Sequence, residues 1–384
     1  MATAAQTAPW QWGALRLEPR LSVRSLGYNE NVFASAEGET ATADVSAVAG
    51  GGLAAYLKLG GKSYVSAYLT PEYTWWRELE DLREFNLNYG LGLFGTYNRL
   101  QLAVQGSSTE RERPLSSELE VPVQVLVESV SVDARMDLRP RLAVVAIVGT
   151  TETRYSEAGA EALSAIRFRE LESDIDRFEA GLALTLRNGV EIGLGVENSQ
   201  TDFLLDPGGR SNDGTSPLIR LSYDGPRFVV DVRAVARQLE FANPLLGRFE
   251  QETGSALVGV DLAAKTRLTV YGARDLVFGT TVATSTIDDT RWGIALARNL
   301  ARRTEVRMFA EQGTAQYRDV IGPNAFRLDD LEAFGIDISL ELGQWTAVSL
   351  RVSEVAYDSN LAGFDRSTSR FGIGLDLKED LLPW

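Results

Sequence analysis

The sequence contains no cysteine and no histidine among its 384 residues. Without cysteine the chain cannot form a disulfide, a thiolate nucleophile, a zinc–thiolate centre or an iron–sulfur cluster. Without histidine it lacks the commonest general base, the Ser-His-Asp triad and imidazole metal ligands. The sequence therefore predicts no catalytic residues, no metal site and no cofactor.

Positive charge and long apolar runs are also scarce. Lys and Arg total 38 against 53 Asp and Glu, a formal net charge of −15, so no nucleic-acid partner is predicted. The longest clean apolar run, 142–148, is far shorter than the roughly 18 residues of a transmembrane helix. The N-terminus lacks the basic and apolar segments of a secretory signal, which predicts a cytoplasmic protein or a mature chain whose signal has been removed.

What the sequence does contain is strict alternation of apolar and polar residues. Apolar side chains occupy every second position over 178–186, 190–196, 334–342 and 371–377. Such period-two patterns predict β-strands with one apolar and one polar face. Eight short turns, including Asn188-Gly189 and Asp224-Gly225, alternate strictly with nine longer polar segments.

Eight short and nine long connections join eighteen strands. An even strand count, short turns on one side and long loops on the other predict a closed antiparallel transmembrane β-barrel of the bacterial outer membrane. Residues 1–12 are expected to form a periplasmic segment and 13–384 a single barrel domain; sixteen strands is the alternative count. The predicted strands are 13–24, 44–57, 63–76, 85–97, 99–106, 119–137, 142–155, 175–187, 190–198, 216–224, 227–239, 252–263, 267–279, 287–298, 303–314, 329–342, 345–357 and 368–378.

A soluble β-sandwich is the alternative fold, but it usually shows irregular connections and Pro-broken edges. The barrel is favoured because lipid offers the backbone no hydrogen-bond partner, so a sheet that spans a membrane must close. Trp384 fits the aromatic ending common in such barrels. Other strand-end aromatics fit interfacial girdles: Tyr73, Trp75, Trp76, Tyr155, Trp292, Trp345 and Tyr357.

Two stretches are irregular. In 119–137 the apolar parity switches from Val127 to Val130, which we interpret as one long strand with a β-bulge near Glu128-Ser129. The segment 157–172 could form a short amphipathic helix within a long loop.

The opening of the chain, Trp10 to Trp76, carries a family resemblance. A first strand with alternating Arg is followed by Gly27-Tyr28-Asn29-Glu30-Asn31-Val32-Phe33, a loop and a Gly-rich second strand. This arrangement resembles the outer-membrane β-barrel porin family associated with exopolysaccharide loci. The resemblance implies a barrel of 16 to 18 strands and, for some members, an export pore for capsule or exopolysaccharide.

Three motifs are better explained without a ligand. Gly90-Leu91-Gly92-Leu93-Phe94-Gly95 matches G-x-G-x-x-G but lies inside an alternating strand rather than at a strand-to-helix turn. Gly60-Gly61-Lys62-Ser63 suggests a P-loop ending, but it sits in a predicted hairpin. Acidic pairs could hold calcium, but none has EF-hand spacing, and solvated loop charge is the favoured interpretation; they are Asp174/Asp176, Asp206 with Asp213, Asp288/Asp289 and Asp329/Asp330.

The polar member of each alternation is expected to line a lumen wide enough for water. These predicted pore-lining residues carry both signs of charge, which suits hydrated polar solutes. The alternative is that the charges pair across strands and serve only to hold the wall in shape. They are Arg16, Glu18, Arg20, Arg24, Glu191, Glu197, Asp231, Arg233, Arg237, Asp261, Glu305, Arg307, Glu311, Asp337, Glu341, Arg351, Arg370 and Asp376.

The sequence thus predicts an outer-membrane pore for a hydrophilic solute, with polysaccharide export as a specific form of it. Its expected partners are outer-membrane lipid, the solute or polysaccharide, and a periplasmic export partner. The alternatives are a structural or adhesive barrel with a plugged lumen and a soluble β-sandwich binding protein.

Overall fold

A computed structural model gives the architecture for residues 10–33, 35, 40–114, 122–155, 168–186, 189–206, 208–279, 284–301, 303–319, 327–343 and 346–378. It is a single β-sheet of nineteen strands. The strands are β1 (Trp10–Trp12), β2 (Leu15–Asn29), β3 (Asp44–Lys58), β4 (Ser63–Trp76), β5 (Glu84–Tyr97), β6 (Leu100–Pro114), β7 (Pro122–Arg139), β8 (Leu142–Tyr155), β9 (Ser173–Thr185), β10 (Glu191–Phe203), β11 (Asn212–Asp224), β12 (Phe228–Phe241), β13 (Arg248–Ala263), β14 (Thr266–Phe278), β15 (Thr284–Ala301), β16 (Thr304–Asp319), β17 (Leu328–Glu341), β18 (Thr346–Ser359) and β19 (Arg366–Lys378).

The strands β2 to β19 form a closed barrel. Each pairs antiparallel with the next in sequence, and β19 pairs with β2, with Gly372 opposite Gly27. The predicted closed antiparallel barrel of eighteen strands is confirmed. The count of sixteen and the two-layered sandwich are both wrong, because one continuous sheet curves until its last strand meets its first.

The seam between β19 and β2 depends on a close backbone approach. A Cβ atom placed on Gly27 would lie 2.3 Å from the carbonyl oxygen of Phe371, so only glycine fits there. At the seam the register shifts between Ile373 and Leu375 of β19, which lie opposite Leu26 and Val23 of β2. The register between β2 and β3 shifts at the same place, between Arg24 and Gly27. This irregularity is a β-bulge at the closing pair, where it bends the sheet.

The short strand β1 was not predicted from the sequence. Its residues Trp10–Trp12 pair with Leu15–Leu17 of β2. The pairing of β19 with β2 ends at Lys378 and Arg20, so β1 pairs with the part of the same β2 edge that β19 does not reach. The strand therefore satisfies backbone groups of β2 that would otherwise form an open sheet edge at the short-turn end of the barrel.

The barrel wall is apolar on its outer face and polar on its inner face, which is the reverse of a soluble protein. On β10, the apolar Leu194 is 60% exposed, whereas Glu197 is 2% exposed. Exposed apolar residues recur at alternate positions on most other strands, for example Leu182 and Phe334. This apolar outer surface suits lipid, and the polar inner surface suits water. No helix in the described part of the chain has both the length and the apolar character needed to cross a bilayer.

Turn lengths separate the two ends of the barrel. Only Asn98 and Arg99 connect β5 to β6, and Asn98 has a positive φ of 56°, as a tight hairpin turn requires. At the other end, connections such as 30–43 and 204–211 are longer. By the usual arrangement of outer-membrane barrels, the short turns face the periplasm and the long connections face the outside.

The predicted bulge near Glu128-Ser129 is wrong. The β6–β7 register runs without a shift from Leu100 opposite Met136 to Pro114 opposite Pro122. The parity switch has another cause: Val125 points inward and is buried near the outer end of the barrel, whereas Val130 faces outward. Inward positions can be apolar where they are covered rather than wet.

Most strands extend further on the long-loop side than predicted. The clearest case is β6, predicted as 99–106 and observed as Leu100–Pro114. These extensions lie beyond the apolar belt, so the regular alternation of apolar and polar residues does not continue through them and cannot reveal them. Of the predicted helical segment 157–172, only a 3-10 turn at Phe168–Leu171 and Glu172 lie within the described residues.

The aromatic girdle is only partly as predicted. Tyr73 and Trp292 are exposed on the outer face, and Trp75 also points outward. Trp76 and Tyr357 are instead buried on the inward face, and Tyr155 points inward as well, because loops cover the lumen wall at this end. Trp345 and Trp384 lie outside the described residues.

Adjacent positions on β17 test the assignment of faces. Ile338 lies opposite Val306 and Leu350 on the outer face, whereas Ser339 lies opposite Glu305 and Ser349 on the inner face. We expect Ile338→Arg to destabilise the folded barrel by about 2–4 kcal/mol if this position is at the bilayer midplane, because arginine would face lipid. Ser339→Arg should be nearly neutral. Unfolding titrations in lipid vesicles measure both, and equal destabilisation by the two substitutions would contradict the assigned faces.

Candidate pore wall and its charged clusters

The strand register places the predicted pore-lining positions on the inward face. On β12, for example, Arg233 lies opposite Arg220 and Ser255, and on β17, Asp337 lies opposite Arg307 and Arg351. The side chains of Arg24 and Asp376 lie outside the described part of the chain. The role of the whole set in conducting a solute stays a prediction.

Four arginines surround two glutamates on β9 to β12, and we call this group the arginine cluster. It comprises Arg177, Arg220, Arg233 and Arg237 around Glu179 and Glu197. Glu179 accepts a hydrogen bond of 2.7 Å from Arg220 Nη2, and Nη2 of both Arg177 and Arg233 lies 3.6 Å from the same carboxylate. Glu197 forms ion pairs with Arg177 and Arg233, and its Oε1 lies 3.5 Å from Arg237 Nη2.

The cluster is ordered from the wall toward the lumen. The side chains of Glu179 and Glu197 are only 6% and 2% exposed, whereas Arg177 and Arg220 are 40% and 38% exposed. The carboxylates therefore lie beneath the guanidinium groups. Each buried charge is paired, as a low-dielectric wall requires.

A neighbouring ion pair is complete in itself. Arg135 donates two hydrogen bonds, of 2.9 and 2.8 Å, to the two carboxylate oxygens of Glu191 across the inner wall. Its Nε also lies 3.3 Å from Asp137. In this bidentate geometry the guanidinium directs its two parallel N–H donors at one carboxylate. Fewer N–H donors therefore remain available to a solute here than in the arginine cluster.

The opposite wall carries charges of both signs around a cavity of about 760 Å³. Arg351 Nε donates a hydrogen bond of 2.6 Å to Asp337 Oδ1, and the two side chains are 69% and 25% exposed. Amides, hydroxyls and glycines complete a polar surface that water or a sugar can occupy. The lining includes Glu72, Thr74, Asn86, Asn88, Thr109, Glu305, Arg307, Asp337, Ser339, Ser349, Arg351, Gly372 and Gly374.

The outer ends of β14 and β15 fold toward the inner wall. Leu276 packs in a buried cluster with Leu239 and Phe249, which lie on the inward face of β12 and β13. Phe278 contacts Phe203 of β10 edge-on, with ring centroids 4.8 Å apart. The outer ends of β14 and β15 therefore contact three other strands of the wall, β10, β12 and β13, at the outer end of the barrel.

Arg210 ties three external connections together. This buried side chain donates a hydrogen bond of 3.0 Å to the Gly279 carbonyl and another to the Glu170 carbonyl. Burial acts to raise the pKa of Asp206, but hydrogen bonds from the Ser211 and Arg210 amides outweigh it, and the pKa lies below its ordinary value. Asp206 therefore stays charged at neutral pH and holds the Arg210 backbone in place.

A second buried group lies at the outer rim between β16 and β19. The Arg327 guanidinium lies 4.1 Å from the ring centroids of both Tyr317 and Phe364, and its Nε donates a hydrogen bond of 2.9 Å to Asp329. Asp329 is fully buried and also accepts from the Tyr317 hydroxyl at 3.0 Å. Stacking and charge pairing together fix these external ends.

The interpretation of the acidic pairs as solvated loop charge is wrong for several members. Asp288 and Asp329 are buried in ion pairs with Arg274 and Arg327, and Asp206 is largely buried beside Arg210. No sequence pattern indicated these arginine partners, which lie up to 14 residues away or in irregular segments. No group of three or more acidic residues that could hold a metal occurs in the described residues.

The glycine motifs are strand and turn features, as predicted. Gly90 and Gly92 lie within β5, where a Cβ on Gly90 would be 2.5 Å from the Tyr68 ring and one on Gly92 2.6 Å from the Phe94 ring. Gly60 and Gly61 lie in the turn between β3 and β4. Gly90 and Gly92 make room for aromatic rings on the inner wall rather than for a nucleotide.

The motif behind the family resemblance anchors the first external connection. Asn31 donates hydrogen bonds from Nδ2 to the carbonyls of Ser35 and Ser367, at 3.0 and 3.2 Å. Val32 is buried against Trp76 and Leu82. The described part of this motif therefore supports the seam and the outer rim of the barrel.

Arg210 provides a test of how the outer end is held. Arg210→Ala should leave the Gly279 and Glu170 carbonyls without their donor, at a local cost of about 2–4 kcal/mol. Amide exchange at Gly209, Arg210 and Ser211 should accelerate, while the barrel keeps its heat-modifiable migration in gels. Arg248→Ala is the control, because Arg248 is exposed and its ion pairs contribute little. Similar acceleration in both variants would show that Arg210 does not hold these connections.

Comparison with known proteins gives relatives in structure only. No family model and no curated protein sequence matches the chain. Similar solved structures include the outer membrane protein OpdK of Pseudomonas aeruginosa, at TM-score 0.54 and 9% identity over 94% of this chain and 98% of that one. OpdO of Pseudomonas aeruginosa has TM-score 0.51 and 13% identity over 95% and 98%. OccAB3 of Acinetobacter baumannii has TM-score 0.51 and 10% identity over 94% and 99%.

At these identities the likeness is one of fold, and it extends over nearly the whole of each chain. A closed barrel with an apolar outer face and a polar inner face is the architecture typical of bacterial outer-membrane proteins. The predicted location in the bacterial outer membrane agrees with this fold, and the chain has the architecture of an outer-membrane β-barrel.

Proposed function

We propose that this protein is an outer-membrane pore that passes hydrophilic solutes. One observation carries the proposal: the closed sheet turns its apolar residues outward, as Leu194 shows, and its charged residues inward. A barrel of sixteen to eighteen strands encloses a lumen wide enough for water. Charged groups such as Arg351 can remain exposed on the inner wall only if that wall is hydrated.

Export of a polysaccharide is the more specific form of the proposal. The resemblance of residues 27–33 to porins of exopolysaccharide loci supports it, as does the wall around the 760 Å³ cavity. There, carboxylates, guanidiniums, amides such as Asn86 and Asn88, and hydroxyls can bond to sugar hydroxyls. The wall would guide a solute without covalent chemistry, and a periplasmic partner would deliver a long polymer to the short-turn end.

A structural or adhesive barrel is the second candidate. The observation that favours it is the inward fold of the outer ends of β14 and β15, where Leu276 packs on Leu239 and Phe249. If these ends close the lumen, the external connections would carry the function instead.

Conductance separates the two candidates. The purified barrel, inserted in planar bilayers in concentrated KCl, should show discrete, ohmic current steps, because hydrated ions cross a water-filled lumen. Neutral polyethylene glycols small enough to enter the lumen should lower the step size. A folded, heat-modifiable barrel that inserts without current steps would exclude the pore and favour the plugged barrel.

Cargo needs a separate measurement in cells. If the protein exports polysaccharide, deletion of its gene in the native bacterium should reduce surface polysaccharide and leave the polymer inside the outer membrane. Complementation with the intact chain should restore the surface polymer. Unchanged surface polysaccharide in the deletion strain would exclude export and leave a general pore.

A further inference from the structure

We infer that the rings of Tyr68 and Phe94 form a binding site for the flat face of a sugar ring on the inner wall, and we call this pair the aromatic platform. The inference rests on the proposed pore and names a carbohydrate as its cargo. The shared chemistry is a pyranose ring, which either a small free sugar or the successive units of a polysaccharide would supply.

The strand register places the aromatic platform inside the barrel. Tyr68 lies on β4 four residues before Glu72, and Phe94 lies on β5 six residues after Asn88, so both share the inward parity of these cavity residues. Strand β4 starts at a short turn and β5 ends at one, so both rings lie between the short turns and the cavity. A sugar chain that enters from the periplasm would therefore meet the platform before the cavity.

Both rings lean along the wall instead of projecting into the lumen. Gly90 is the register partner of Tyr68, and a Cβ atom on Gly90 would lie 2.5 Å from Cε1 and 2.9 Å from Cζ of that ring. A Cβ atom on Gly92 would lie 2.6 Å from Cε2 and 3.0 Å from Cζ of Phe94. Each ring therefore covers the bare backbone of one glycine and forms part of the wall surface.

This surface has the chemistry that a sugar ring needs. Tyr68 is 41% exposed and therefore accessible, and Phe94 on the next strand is half-buried. The face of an aromatic ring is electronegative, whereas the C–H groups on one face of a pyranose are weakly electropositive and apolar, so the two stack and release water. The covered glycines are two residues apart, roughly 7 Å along β5. Successive rings of one sugar chain can therefore rest on the platform.

Hydrogen-bonding groups border the platform on both sides. The Ser66 hydroxyl oxygen lies 3.0 Å from the position of a Cβ atom on Gly92, next to the covering ring. Toward the outer end, Glu72 and Asn88 contribute a carboxylate and an amide to the cavity wall. A sugar can stack its C–H face on the rings and direct its hydroxyls to these groups. An apolar solute would leave the same polar groups without partners.

A purely structural role is the competing explanation, because rings cover glycines elsewhere on the inner wall. Tyr271 covers Gly293, and Phe309 covers Gly335. Both of these rings are half-buried. Tyr68 differs because it is exposed and because a second covered glycine follows on the same strand. A solute therefore has access here to a continuous run of aromatic surface.

Block of single-channel current by cellotetraose measures the site. We expect cellotetraose to block the wild-type current in the millimolar range. Tyr68→Leu/Phe94→Leu should raise the concentration for half-block about tenfold, because leucine offers no flat face. The matched control is Tyr73→Leu/Phe85→Leu, which removes the same two ring types from a register pair on the outer face of the same strands. It should change the concentration for half-block less than twofold.

A polyethylene glycol of about the same mass as cellotetraose separates stacking from a change in the shape of the wall. This polymer enters the lumen without a ring to stack, so its effect on step size should be the same in the wild type and in Tyr68→Leu/Phe94→Leu. Equal loss of both effects in that variant would overturn the site, because it would show that the leucines only reshape the lumen.

Two further variants keep the test decisive if the leucine substitutions disturb folding, which heat-modifiable migration reveals. Tyr68→Phe keeps the ring and should leave the concentration for half-block within twofold of wild type. Tyr68→Trp offers a larger face and should lower it. Loss of block in Tyr68→Phe would show that the hydroxyl binds instead of the ring, and either that loss or weaker block in Tyr68→Trp would overturn the site.

The outcomes distinguish the site from the pore. Absence of current in the wild type would exclude the proposed pore itself, whereas normal current without block by cellotetraose would exclude only the aromatic platform. Glucose identifies the source of the sugar ring. Half-block by cellotetraose at a concentration at least tenfold below that of glucose supports the site with a polymer as cargo, and equal concentrations support it with small sugars.

Discussion

The structure depends on the requirement that every backbone hydrogen-bonding group in lipid has a partner within the protein. A sheet meets this requirement only by closing, and here the closure joins β19 to β2. Gly27 permits the close approach at this seam, since its missing side chain leaves room for the Phe371 carbonyl. Where β19 ends, β1 takes over the free edge of β2. All other features of the wall follow from a sheet without edges.

Closure places the side chains of the wall in two different environments, lipid outside and water inside. The outer face meets lipid and holds aliphatic and aromatic residues, while the inner face meets water and holds charge. Inner charges close to the wall, such as Glu179 and Glu197, must be paired because the sheet and the lipid behind it exclude water. The guanidinium groups above them reach the lumen and remain partly hydrated. The same wall is thus rigid near its backbone and accessible at its surface.

The outer end follows a different physical rule. Beyond the apolar belt the strands continue, and their inner positions become buried under connections from other strands. Arg210 and Arg327 hold these connections through carbonyl acceptors, carboxylates and aromatic rings. Buried arginine suits this task because one side chain offers several donors and a flat face for stacking. This end of the barrel therefore resembles a small polar core placed on top of a transmembrane wall.

The sequence by itself determined the fold class, the strand number, the order of short and long connections and the faces of the wall, because lipid and water impose a period of two on each strand. Strand ends on the short-turn side, such as Ser63 opening β4 and Leu142 opening β8, followed from the same pattern. Tertiary structure alone decided which charges meet. Arg177 and Arg237 lie on strands far apart in sequence, and only the register of β9 to β12 brings both to Glu197. The buried groups of Arg210, Asp288 and Asp329 were likewise undetermined, since a polar residue beyond the apolar belt looks the same in sequence whether water or another loop covers it.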